Sequence, residues 1–470
     1  MNTSLIRTLL GYLLMIAATV ALFFAVRGYG EGLAAPEAAT VAAGASRPPA
    51  ASHPLLHLLL ALAAVILLGR LLGRLFAMFR QPPVIGEVLA GICLGPSLLG
   101  RLAPDVAHFV LPDSVAPSLS IVAQLGVILY MFVVGLELNV GILHKQGHVT
   151  LAISHASIIV PFSLGALLAI WLYPLLSSGG YSFTSFALFL SVSMSITAFP
   201  VLARILTDRG LHKTDLGVMA LACAAIDDVS AWCLLALVVG VAHSQVTDAL
   251  WVTLLTLSYI VFMFAVVRPL VARAVPRFCP QGLTPGAMAA LLVGMLLSAV
   301  ATEAIGIHAI FGAFLFGAVI PHDSQIAEQM SEKLSTLVTT LLLPAFFAFT
   351  GMRTEIGLVS GTEQWLICLA IIAVATLGKF GGTLAAARLM GQGWRDAASL
   401  GVLMNTRGLM ELIVLNIGLD LGIISPTLFA MMVLMALATT IATSPILHAL
   451  IPSVAALPAR SRGAEVARSV

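Results

Sequence analysis

Apolar residues run through this chain in long blocks, and polar residues gather in short intervals between them. A helix needs about 20 apolar residues to cross the hydrocarbon of a bilayer. On that measure the pattern predicts a leading span at 5–26 and a loop rich in Ala, Pro and Gly from 27 to 52. Further spans are expected near 53–79, 84–100, 118–139, 149–174, 183–207, 215–242, 249–267, 284–302, 305–320, 334–351, 364–389, 396–419 and 426–450. Gln81, Pro82 and Pro83 mark a sharp break between the second and third spans, because a proline lacks the donor that would continue a helix. The expectation is an all-α polytopic membrane protein of 13 to 14 transmembrane helices, with the lipid bilayer as its surroundings.

Composition narrows the class. Hydrophobic residues make up 60% of the 470 and charged residues 9%, against roughly 25% charged in soluble proteins. This excludes a soluble enzyme and a disordered chain, and a net charge of +2 leaves no basic excess to hold nucleic acid. Cys93, Cys223, Cys233, Cys279 and Cys368 lie in separate apolar segments without CxxC or Cys/His spacing, so neither a disulfide framework nor a zinc site follows. No GxxxxGK[ST] nucleotide motif occurs, and no cofactor is expected.

The basic residues orient the spans. With a cytoplasmic N-terminus, 17 of the 23 Lys and Arg fall on the cytoplasmic side, and only Arg27, Arg47, Arg101 and Arg353 fall opposite. Lys379 and Arg407 lie within spans. Positive charge is retained on the cytoplasmic face of membrane proteins, so this split supports both the span count and cytoplasmic termini. A bacterial inner membrane is the expected location. The segment 5–26, with Arg7 ahead of it, suits either a signal segment or a retained first helix. The lack of an A-x-A site directly behind the apolar run favours retention.

The chain also repeats itself. IGEVLAG (Gly86, Leu89, Gly91) matches FGAFLFG (Gly312, Leu315, Gly317). MFVVGLELN around Gly135 resembles FFAFTGMRTE around Gly351, and MSITAFPVL from Met194 resembles MNTRGLMEL from Met404. The offsets drift slowly, from 226 to 216 to 210 residues. An extra N-terminal segment and linker at 1–52 would precede a first six-helix repeat at 53–243. A linking helix and basic cytoplasmic loop at 244–283 would lead to a second repeat at 284–451 and a short cytoplasmic tail at 452–470. One helix between two sets of six turns the second set upside down, as in many secondary transporters.

Two matched spans are unsuited to an uninterrupted helix. Ser195 and Thr197 precede Pro200 in one, and Asn405, Thr406, Arg407 and Gly408 stand mid-span in the other. Interruptions at corresponding places point to a transporter's midplane site. A proline kink satisfied by neighbouring hydroxyls is the plainer alternative. Asp227 and Asp228 sit midway along the span at 215–242. A charge at the bilayer centre costs about 2.5–3.5 kcal/mol on insertion scales, so two adjacent acids need a reason. Carboxylates suit a proton or an alkali cation and can exchange one for the other. Neighbouring helical residues point about 100° apart, so the two need not share a partner. Lys379 is the one lysine well inside a span and wants an acid to pair with, unless it snorkels to the interface. Arg407 and Glu411, at i and i+4, suit a structural ion pair on one helix face.

At these residues the sequence resembles the cation:proton antiporter-2 family, in the branch holding bacterial relatives of the plant cation/H⁺ exchangers. The matching stretches are QPPVIGEVLAGICLGPSLLG (81–100), SITAFPVLARIL (195–206), AAIDDVSAWCLLALV (224–238), GIHAIFGAFLFGAVIP (306–321) and NTRGLMELIVLNIGLDLGIIS (405–425). The resemblance implies a homodimer in which each protomer has a dimer-forming panel and a mobile core with interrupted, crossing helices. It implies secondary exchange of a monovalent cation (Na⁺, K⁺ or Li⁺) for protons. By position, Asp228 matches the carboxylate that carries cation or proton, and Asp227 the acid paired with the family's lysine, here Lys379. The leading helix adds a fourteenth span to a thirteen-span pattern. A gated cation channel using the same carboxylates is the alternative, and proton coupling distinguishes the two.

Overall fold

The computed structural model describes residues 3–36, 54–79, 81–137, 147–178, 180–212, 214–243, 246–278, 282–321 and 324–451. Most of the 27–52 loop and the tail after 451 lie outside the described residues. The described chain is helical apart from one isolated bridge, Ser177 to Ile424. Its main helices are α1 (Thr3–Gly30), α2 (Pro54–Met78), α3 (Pro83–Leu94), α4 (Ala116–Glu137) and α5 (Gly147–Leu176). Next come α6 (Phe183–Ser195), α7 (Phe199–Asp208), α8 (Asp215–His243), α9 (246–278), α10 (Pro285–Ile305) and α11 (Ala309–Val319). The chain closes with α12 (325–352), α13 (Gly361–Leu389), α14 (Trp394–Met404), α15 (Leu409–Asp420) and α16 (Pro426–Leu450).

Among the described residues, 12 helices are long and apolar enough to cross a membrane, and α14 with α15 forms a further span bent by 40°. The short apolar α11 occupies the place expected for the span at 305–320. Several boundaries differ from the sequence expectation for local reasons. The helix of the third span stops at Leu94 rather than 100, where Gly95 turns extended ahead of Pro96. The span expected at 334–351 begins a full nine residues earlier, because Ser324 caps it by accepting the Ala327 N–H at 3.2 Å. The basic loop expected after 267 is helical instead: α9 continues through a π turn at Met263–Val267 into Arg268–Phe278. Between α10 and α11 the chain reverses at Gly306, whose φ of 96° suits a residue without a Cβ.

The helices form two bodies. α2, α3 and α4 pack chiefly with α10, α11 and α12, while α5 to α8 pack with α13 to α16. In the first body, which we call the panel, two crossings are so close that glycine is required. Gly91 of α3 meets the backbone of α12 at Ala348 and Gly351, and Gly135 of α4 meets α11 at Phe314 and Gly317. These four glycines are among the six matched between the halves of the sequence, so each crossing joins one half to the other. Ahead of both bodies, α1 lies on α5 and α6. Val26 is buried there, and Glu31 joins Arg27 at 2.8 Å to the hydroxyl of Thr184 at 2.9 Å.

Candidate functional site

The second body, the core, is built around two breaks. α6 starts on the side chain of Ser182, which accepts the Ser185 N–H at 3.3 Å, and it ends at Ser195. Ile196 to Ala198 are extended, and α7 restarts at Phe199. Pro200 lies in the first two positions of α7, where its missing donor would have had no helical partner anyway. The proline therefore opens a new helix rather than kinking an old one. The other break runs from Asn405 to Gly408, between α14 and α15.

The two breaks touch. The Ala198 N–H donates to the Thr406 carbonyl at 3.0 Å, and the Thr197 hydroxyl lies 3.0 Å from the Met404 carbonyl. Gly408 faces Val201 and Ala198. The helix pairs run in opposite directions. Arg209 beyond α7 bonds the Ser444 carbonyl near the end of α16, and Arg395 at the start of α14 bonds the Leu450 carbonyl. At the other end, Ser178 before α6 bonds the Gly422 carbonyl after α15.

Breaking α6 leaves its last carbonyls without helical donors at the negative end of the helix dipole. Cations take them up. The Arg407 guanidinium donates to the Ser193 and Met194 carbonyls at 3.1 and 2.8 Å. Lys379 Nζ donates to the Ser195 carbonyl at 2.5 Å. Arg407 also lies 3.2 Å from Glu411, both wholly buried, and its backbone is clamped by Thr440, which exchanges bonds of 3.0 and 2.7 Å with it. Glu411 Oε2 and Arg407 Nε have no partner, so that pair is only partly satisfied.

Lys379 sits on a π turn, Leu377–Gly381, within α13. Gly378 and Gly382 let that turn lie against Pro161 and Val160 of α5. The ammonium uses all three of its donors: Asp227 Oδ2 at 2.9 Å, the Ser195 carbonyl, and the Ser157 carbonyl at 3.0 Å. Asp227 in turn is saturated. Its Oδ1 accepts from Ser154 at 2.5 Å, and its Oδ2 accepts from Ser157 and Thr197 at 2.8 Å each, besides the lysine.

Asp228 is the opposite case. It is 2% exposed, yet neither carboxylate oxygen has a hydrogen-bond partner. The Phe199 N–H at the start of α7 faces it without reaching hydrogen-bond geometry. Two adjacent acids thus have different surroundings: one is locked by four donors, and the other is held at the start of a half-helix with its coordination unspent. A half-helix N-terminus favours negative charge there. Such a carboxylate can take a proton or a dehydrated cation in exchange.

Asp227, Lys379, Ser195, Thr197, Thr406 and Arg407 share one network. Asn405 is buried nearby with its Oδ1 unpartnered. Of the acids outside it, Glu137 accepts from Ser331 at 2.8 Å, and Glu303 caps α11 at the Ala309 N–H, also 2.8 Å. Sequence reasoning missed Ser154 and Ser157. Their signal was two hydroxyls three residues apart on one face of an otherwise apolar helix. It also missed Thr440, the clamp on Arg407.

The family described as "Sodium/hydrogen exchanger, transmembrane" matches residues 60–450. The chain belongs to the sodium/hydrogen exchanger family. It is 44% identical over 405 residues to the Na⁺/H⁺ antiporter NhaS4 of Synechocystis, covering 86% of this chain and 99% of that one. It is 39% identical to the Cation/H⁺ antiporter 20 of Arabidopsis thaliana and 35% identical to the K⁺/H⁺ antiporter 1 of Saccharomyces cerevisiae. Those alignments cover 83% and 85% of this chain but 48% and 47% of the relatives, so the chain spans about half the length of these two exchangers. The solved structure of the sodium proton antiporter MjNhaP1 from Methanocaldococcus jannaschii superposes with a TM-score of 0.60. That match covers 84% of this chain and 97% of the other at 15% identity, and it speaks for the exchanger fold.

Proposed function

We infer that this exchanger-family protein is a secondary active antiporter that moves a monovalent cation, Na⁺ or K⁺, against protons across a membrane. One observation carries the mechanism: Asp228 is a buried carboxylate with both oxygens unpaired, beside an acid whose hydrogen bonds are complete. Proton and cation compete for Asp228, and the core moves against the panel only when one of them is bound. Asp227 and Lys379 supply a fixed internal pair that holds α5, α6, α8 and α13 together around the site. Arg407 and Glu411 hold the crossing itself. Thr197, bonded to Asp227 and to the Met404 carbonyl, ties the two breaks to the acid pair.

The protein forms a homodimer in this reading, supported by α9, in which only 11% of the apolar window within Leu254–Ala274 is buried, leaving apolar surface for lipid or a second protomer. A bacterial inner membrane with cytoplasmic termini suits the distribution of basic residues. No observation favours a gated channel. The test is dye dequenching in everted vesicles, with each alkali chloride added to an established proton gradient. Cation-dependent proton movement is expected, and cation current without proton movement would refute exchange.

A further inference from the structure

The panel and the core share one hydrophobic cluster, and the polar contacts that bridge them are few enough to be informative. At the end of the molecule away from Arg209 and Arg395, Arg353 and Asn416 make the bridge among the described residues. Arg353, just past α12, donates to Asn416 Oδ1 at 3.0 Å and lies 2.6 Å from Asp420 Oδ1, both on α15 of the core. Asn416 returns the contact: its Nδ2 donates to the Thr350 hydroxyl of α12 at 2.8 Å. The Arg353 guanidinium also lies over the Phe349 ring, 5.5 Å from its centroid. The backbone that carries Arg353 is tied to the panel. Ser97, after α3, donates to the Thr354 carbonyl at 2.8 Å and accepts the Ile356 N–H at 3.0 Å. The arginine is therefore anchored on one body and bonded to the other.

Its position matters for the path to the site. Asn416 Nδ2 also bonds the Leu412 carbonyl at 2.8 Å, one turn deeper along α15. Leu412 lines a small cavity of about 20 Å³ between α3 and the core, together with Val88, Arg407 and Thr440. Following α15 inward from Asp420 thus passes Asn416, then Leu412, then the crossing. The node stands at the outer end of this seam. At the opposite end, Gln81 donates to the Ile441 carbonyl at 3.1 Å, and Arg204 of α7 attracts Glu87 of α3 across the seam.

We propose that Arg353, with Asn416 and Asp420, is the latch that keeps the seam between panel and core closed at this end. It must release before Asp228 is reached from that side. The chemistry suits a reversible lock. A charge-assisted pair with Arg353 and Asp420 side chains 25% and 54% exposed is strong enough to bias two states and weak enough to break in each cycle. This rests on the antiporter reading for its purpose, though not for its geometry.

The test is thiol accessibility at Leu412→Cys, with the five native cysteines replaced and the protein in sealed vesicles of either orientation. Impermeant maleimide is the probe. With the latch intact, labelling from the Arg353 side should be slow. Arg353→Gln should speed it about fivefold from that side alone, the shift expected on losing a partly exposed ion pair. The exchanged pair Arg353→Asp with Asp420→Arg should slow it again. Unchanged rates, equal acceleration from both sides, or failure of the exchanged pair to slow labelling would each overturn the latch. A wild-type vesicle without cation-dependent proton flux would defeat the antiporter reading instead, and leave the labelling result standing.

Discussion

Lys379 gives the sharpest test of how the core is held. Its ammonium and the Asp227 carboxylate are 2.9 Å apart and entirely buried. Replacing it by methionine keeps most of the side-chain volume, which limits the cavity contribution that alanine would add. The loss is then mainly electrostatic: Asp227 is stranded, and the Ser195 and Ser157 carbonyls lose a donor. Removing one member of a buried pair costs about 3–5 kcal/mol. Asp227 keeps the hydroxyls of Ser154, Ser157 and Thr197, so the low end, about 3 kcal/mol, is expected. At about 2 cal/mol/K per residue over 470 residues, unfolding carries an entropy of about 1 kcal/mol/K, and the melting point should fall by about 3 °C. Adding Asp227→Asn removes the stranded charge, and the amide NH₂ can turn to the vacated carbonyls. The double variant should recover about 2 kcal/mol of the loss. The assay is fluorescence-detected melting in detergent at one scan rate, comparing midpoints because unfolding of such a protein is irreversible. Additive losses in the double variant would refute the pair as the structural centre of the core.

Asp228→Asn should abolish cation-driven proton movement in vesicles while leaving the melting point unchanged or higher, since the carboxylate has no hydrogen bonds to lose. Substantial exchange by this variant would remove Asp228 from the carrier role. In the proposed mechanism proton and cation share Asp228, so the apparent cation affinity should weaken about tenfold per pH unit well below the site's pKa. A flat dependence over that range, measured by half-saturation of dequenching, would indicate separate sites. Ser154→Ala should lower stability by about 1–3 kcal/mol, because Asp227 Oδ1 loses its donor. A melting point equal to wild type would show that another donor takes its place. Gly135→Ala should block folding, since its Cβ would enter the α11 backbone, whereas Gly381→Ala, with nothing near it, should be tolerated. Monodispersity of the two variants after extraction checks this.

The amino-acid sequence by itself determined much of this protein. Long apolar blocks dictate helices because lipid offers no partner to an exposed backbone, so the class and most span positions were legible. Charges inside those blocks are costly, which is why Asp227, Asp228, Lys379, Arg407 and Glu411 stood out. The similar stretches in the two halves were legible in glycines, because only glycine serves where α3 meets α12 and α4 meets α11. What sequence left open was which atoms meet. The sequence left Pro200 open between an interruption and a kink, and the extended residues before it make it a helix start. Ser154 and Ser157 were not singled out, since a hydroxyl in an apolar helix has value only through what lies opposite. The different fates of two adjacent acids were also beyond reach. α8 rotates one toward four donors and the other toward the start of α7. Only the packing of α5, α6 and α13 around α8 decides which is spent and which is free. The Arg353 bridge belongs to the same kind. Its residues are 63 positions apart from Asn416, and their meeting depends on how two bodies pack, information that no local pattern carries.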